Sequence, residues 1–164
     1  MKFYHGTTTA RLEAIIKDGL VPQVSKDNET RTAIYLTDRE YDADMYSVLS
    51  CDRRGGHAVV LEIDPELVDH THLEPDDYDL VGRLLDIHGE TEESRDIEPS
   101  DDDIDERLRP YERWQDVPWE LSLATSNQVA YTSTVPVSAI TNLSAIAAEF
   151  GINLDISETS TFRI

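Results

Sequence analysis

The chain has 164 residues and a formal net charge of −20, from 34 Asp plus Glu against 14 Lys plus Arg. That length suits one domain with one core. It holds no run of about 18 apolar residues to cross a membrane, and its single cysteine, Cys51, excludes an internal disulfide and fits a reducing compartment.

The acidity argues against a broad basic face for nucleic acid, so any such contact would be local and arginine-based. Lys2, Lys17 and Lys26 are the only lysines. Self-repulsion of this size weakens a compact state at low salt. Concentrated salt shortens the Debye length to about 3 Å and removes most of that penalty. An acidic, lysine-poor chain is therefore expected in a high-salt cytoplasm. Met1-Lys2-Phe3-Tyr4 runs straight into the first motif, so no signal peptide is expected.

Lys2 to His5 reads as a strand, followed by Gly6-Thr7-Thr8. Thr8 or Thr9 can cap the next helix by accepting orphan N–H groups. Leu12, Ile15 and Ile16 share one helical face, and Gly19 is placed to end the helix in a left-handed conformation. Pro22 to Thr30 is a polar loop over a pocket mouth. Ala33 to Leu36 is a second strand, with Tyr35 in it.

Asp38 to Leu49 is expected to form a helix capped by Asp38, with Ala43, Tyr46 and Leu49 inward. Arg53-Arg54-Gly55-Gly56 is a turn before the strand His57 to Ile63, which Pro65 ends. From about Asp69 to Trp119 the composition turns acidic, broken by Pro75, Pro99, Pro110 and Pro118. Leu80 to Ile87 reads as a short helix inside this insert, and Glu90 to Glu106 as solvated or disordered loop. Trp114 and Trp119 return the chain to the core. Gln128 to Thr132 and Ala139 to Leu143 read as strands, and Ala145 to Phe150 as a helix turn or two ended by Gly151.

Two weaker constellations read as surface. His70 and His72 with Asp69 and Glu74 lack a third spaced His or Cys for a zinc set. Asp101-Asp102-Asp103-x-Asp105 lacks the spaced glycine and terminal Glu of a calcium loop. No metal is expected.

The first half carries a sharper pattern: His5-Gly6 ending one strand, Tyr35 in the next, and Tyr46 eleven residues further on. On these residues the chain resembles the ADP-ribosyltransferase superfamily, in the His-Tyr-Glu branch that includes poly(ADP-ribose) polymerases and diphtheria-type toxins. The resemblance covers about Lys2 to Ile63 and Ser126 to Leu143. It implies a single α+β domain over residues 1–164, with two small antiparallel sheets split around an NAD cleft. It also implies NAD as substrate, with ADP-ribose passed to a protein or nucleic-acid acceptor.

The family's roles then fall on particular residues. His5, Tyr35 and Gln128 stand at the triad positions. Gly6 would clamp the carboxamide and let the ring approach, Thr7 continues the motif, and Tyr35 and Tyr46 would stack on nicotinamide. Arg31, with Arg53 and Arg54, suits a pyrophosphate because a guanidinium is forked. Two departures stand out: Ala43 replaces the serine that contacts the carboxamide, and Gln128 replaces the glutamate. Glu120 is a substitute that nothing in the sequence positions.

The chain also resembles RNA 2′-phosphotransferases through the His-Gly-Thr start, Arg31 and the Arg53-to-Leu61 stretch. Tyr4 and Tyr35 replace the Arg and His expected there. A third reading is a catalytically silent binding or structural module within a larger assembly, such as a component of a virus particle or of a host-defence system.

Overall fold

The computed structural model describes residues 1–24, 31–89 and 102–154. Helices and antiparallel strands mix in an α+β arrangement, with β1 (Phe3–Thr8), α1 (Leu12–Asp18), β2 (Gln23–Val24), β3 (Thr32–Thr37), α2 (Glu40–Arg54) and β4 (Ala58–Ile63) in the first half. The second half adds β5 (Leu73–Pro75), α3 (Asp79–His88), α4 (Asp102–Leu108), α5 (Trp119–Ser126), β6 (Gln128–Tyr131) and α6 (Leu143–Glu149). Among the described residues no helix is long and apolar enough to cross a membrane.

The strands form one six-stranded sheet in the order β4-β1-β3-β6-β5, with β2 paired to β3. This corrects the expectation of two sheets: β3 pairs with both β1 and β6 and so joins the two halves. The join is thin on one side. β1 runs beside β4 from Phe3↔Ile63 to Thr8↔Ala58, whereas Tyr4↔Thr37 is the registered pair between β1 and β3. β5 lies at the sheet edge, where Pro75 costs no ladder bond.

Alternation along the strands and the helical period of α1 build the main core. Phe3, Leu12, Leu36, Leu61, Ile63 and Val129 are fully buried in it. Thr8 accepts from Ala10 N at 3.1 Å and caps the 3₁₀ turn that leads into α1, and Gly19 ends that helix at φ 78°. The helix forms as read, but Gly19, with ψ −174°, ends it in an extended positive-φ conformation open to glycine and not in the left-handed helical one expected.

The acidic insert holds a second, smaller core. Leu80 and Leu84 of α3 bury with Leu108 of α4, with Leu121 of α5 and with Val117 just before α5. Part of the stretch read as solvated loop is thus helical from Asp102, because Leu108 supplies an apolar anchor just beyond it. Arg83 Nε reaches Asp105 Oδ1 at 2.9 Å across α3 and α4. The Asp101–Asp105 run overlaps α4 from Asp102 onward, and Glu90 to Asp101 lies outside the described residues. The two tryptophans serve different cores: Trp119 packs edge-on to Phe3, while Trp114 packs on the insert cluster.

The segment after Pro136 forms a 3₁₀ turn over Val137–Ala139 and a single bridge, Ile63↔Ile140, in place of a strand, and α6 follows. His70–His72 is a 3₁₀ turn on which His70 Nε2 meets Pro65 O at 2.8 Å. Among the described residues no group of three or more ligating side chains comes together.

Candidate functional site

Helix α2 sets one wall of the site, and it lies differently from the sequence expectation. It starts at Glu40, runs on through Arg53 and Arg54, and is not capped by Asp38; Thr37 Oγ1 instead accepts from Arg39 N at 3.0 Å. Its buried residues are Ala43 and Ser47. Tyr46 and Leu49, expected inside, are 40% and 49% exposed. The reason lies in β1. A Cβ on Gly6 would sit 2.0 Å from Ala43 O and 2.6 Å from Ser47 N, so α2 seats its backbone on the glycine. Small residues let it come that close, and the larger ones turn away. The absent side chain of Gly6 is therefore used by α2, not by an approaching ring.

The space that α2 leaves over the sheet is a cleft of about 700 Å³, within the usual range for small-molecule sites. Its lining includes His5, Gly6, Tyr35, Tyr46 and Gln128. Five candidates from distant parts of the sequence thus share one cavity, because β1, β3 and β6 are neighbours in the sheet. Thr7 and Arg31 are not with them. Thr7 alternates away from Gly6, is 1% exposed, and its Oγ1 has no hydrogen-bond partner among the described residues.

His5 fills the seam between β1 and β3, with Nδ1 2.9 Å from Tyr35 O. A carbonyl only accepts, so Nδ1 carries the proton and Nε2 keeps a lone pair. Burial pushes the His5 pKa down to about 4, outweighing the carbonyl bond that favours the charged ring. The side chain is a neutral imidazole of fixed tautomer, able to accept from a hydroxyl.

Tyr35 donates to Asp77 Oδ1 at 2.6 Å. Burial first, then that carboxylate, pushes its phenol up, so the hydroxyl keeps its proton. Gln128 opens β6 immediately after Asn127, whose left-handed φ of 57° ends α5. Its Nε2 donates to the Tyr46 hydroxyl across the cleft. Burial also raises the Tyr46 pKa, more than the Gln128 bond lowers it.

Arg31 is an anchor between parts of the fold. It pairs with Glu74, donates to Pro75 O at 2.9 Å, lies 3.6 Å from Asp77 Oδ1, and covers the Trp114 ring at 5.1 Å. The expected pyrophosphate role does not match that placement.

Asp76, Tyr78 and Arg11 also line the cleft and were missed by the sequence reading, and Tyr4, marked there only as a replaced Arg, lines it too. Asp76 had a signal. It stands four residues before Leu80, and its carboxylate accepts from Asp79 N at 2.8 Å and from Tyr78 and Leu80 N at 3.3 Å, as a helix-capping aspartate does. Burial raises its pKa against those bonds.

Comparison with family models, with curated proteins and with solved structures finds no match to this chain.

Proposed function

We propose that the chain is an ADP-ribosyltransferase-like enzyme that cleaves NAD and passes ADP-ribose to a protein or nucleic-acid acceptor. The observation that carries this reading is the meeting of His5, Gly6, Tyr35, Tyr46 and Gln128 in one cleft on three neighbouring strands and α2. In the reaction the bond from ribose C1′ to nicotinamide breaks, and nicotinamide leaves with the electron pair. The acceptor nucleophile bonds to C1′ and loses its proton. The site's work is to hold the two ends of the breaking bond. Neutral His5 would accept from a ribose hydroxyl through Nε2. The Tyr35 ring, fixed at its hydroxyl by Asp77, and Tyr46 offer apolar faces to nicotinamide. Gly6 would contribute backbone alone.

The test is NAD binding by calorimetry and nicotinamide release in molar salt. His5→Ala is expected to slow release about tenfold or more, a loss of about 1.4 kcal/mol in transition-state stabilisation. Wild type that neither binds nor cleaves NAD removes the reading.

One observation favours a silent module. The Gln128 amide is neutral and already bonded to Tyr46, so the third triad position offers no carboxylate. NAD binding without turnover, together with a stoichiometric partner on purification, would select that form. The RNA 2′-phosphotransferase reading loses a support, since Arg31 is engaged with Glu74, Pro75 and Trp114.

A further inference from the structure

One end of the cleft is cationic in a chain of net charge −20. Arg11, Arg53 and Arg54 line it together with Gln23 and Val24. Two segments are locked to bring them there. Thr9 N donates to His57 O at 2.9 Å, and His57 N donates back to Thr9 Oγ1 at 2.9 Å. Gly56, at φ 85°, packs so close that a Cβ would lie 2.8 Å from Thr9 Oγ1 and 3.0 Å from Ala10 N. The turn after β1 and the end of α2 are thereby held side by side, and Arg11 faces Arg54.

The arrangement is costly unless something negative completes it. Arg54 donates to the neutral Gln23 Oε1 at 3.2 Å, and among the described residues neither Arg11 nor Arg54 has a carboxylate partner. Arg11 is half-buried; burial first, and then the charge of Arg54, lowers its pKa. The dipole of α2 accounts for Arg53 and Arg54 at its C-terminus. It does not account for Arg11, which comes from another element and adds repulsion. A local rule broken inside a cleft marks a functional position.

We infer that Arg11 and Arg54, beside Arg53, form a subsite for the pyrophosphate of a dinucleotide. Two guanidiniums from separate elements line one cleft, and forked N–H donors match the oxygens of a diphosphate better than one point charge does. The inference rests on the NAD reading for its ligand. The subsite shares the cleft with His5 and Tyr35, so one dinucleotide can engage both. It also replaces Arg31 in the role that the sequence assigned to it.

Calorimetry in molar salt with inorganic pyrophosphate, ADP-ribose and nicotinamide riboside tests it. Wild type is expected to bind the first two. Arg11→Gln and Arg54→Gln should each weaken them about tenfold, the loss of roughly one charge-assisted hydrogen bond, while nicotinamide riboside is unaffected. Melting temperatures of both variants are expected at or above wild type, because repulsion is relieved. If Arg11→Gln does not fold, the exposed Arg54→Gln decides alone. Pyrophosphate binding that depends on these arginines, without NAD cleavage, supports the subsite while the enzyme reading fails. Unchanged ADP-ribose affinity in both variants, or no pyrophosphate binding by wild type at millimolar concentration, overturns the subsite even where NAD is cleaved.

Discussion

The phenol of Tyr35 and the carboxylate of Asp77 meet at 2.6 Å, joining the central strand β3 to the corner between β5 and α3. The Asp77 side chain is 5% exposed, and Arg31 Nη1 stands 3.6 Å from the same oxygen. A carboxylate this buried depends on its donors. Tyr35→Phe should therefore destabilise the fold by about 1–3 kcal/mol, the cost of leaving a buried acceptor one bond short. Asp77→Asn should cost less, because an amide oxygen can still accept from the phenol. Urea unfolding of the two variants measures the difference, and equal stability of Tyr35→Phe and wild type would show that the bond is dispensable.

Gly6 makes a separate and sharper prediction. Its missing Cβ would sit 2.0 Å from backbone Ala43 O, and backbone cannot swing aside as a side chain can. Gly6→Ala must lift α2 from β1, at a cost of about 3 kcal/mol or more, the upper range for overpacking. The same shift would reshape the cleft, since Ala43, Tyr46 and Leu49 line it from α2. A variant with a native melting temperature and native ligand affinity would contradict this packing.

His5 gives the stability a pH dependence of known sign. Its pKa falls from 6.5 to about 4 on folding. Between those values the unfolded chain binds a proton that the folded chain refuses, so stability is lost as pH falls through the window and levels off below it. At 1.36 kcal/mol per unit the loss reaches about 3 kcal/mol at most. His5→Asn keeps an amide donor for the Tyr35 carbonyl and removes the titration. Its melting temperature should fall less than that of wild type between about pH 6.5 and 4. Parallel curves would assign the dependence to other groups.

The parts of this architecture that were legible in the sequence are those where apolar spacing reports burial. β1, β3, β4, β6 and α1 follow from alternation, from the Leu12–Ile15 spacing and from Gly19. Helix α2 defeats the same logic. Its contact with β1 is made by Ala43 and Ser47 against a glycine, so the apolar Tyr46 and Leu49 look like core while they line a cleft. β5 is three residues ending in proline, too short for any pattern. The candidate site was legible as residue types but not as relations. His5, Tyr35 and Gln128 stand out singly, whereas the Asp77 bond and the Arg11–Arg54 approach join segments that only the sheet order and the Gly55-Gly56 turn bring together.

The response of stability to salt separates a surface adapted to concentrated salt from one that is merely acidic. Opposite-sign surface pairs such as Lys2–Glu62 and Arg83–Asp105 weaken as salt rises, but exposed pairs of this kind add little to stability. Against them stands an excess of 20 negative charges over one small surface. The Debye length falls from about 10 Å at 0.1 M to about 3 Å at 1 M, which removes repulsion over most of that surface. Repulsion should win, so the melting temperature is expected to climb steeply with sodium chloride between about 0.1 and 1 M. The climb should shrink near pH 4.3, where the net charge approaches zero. A salt increment of the same size at neutral pH and at pH 4.3 would trace it to general exclusion of salt from the surface and leave the acidity unconnected to a high-salt environment.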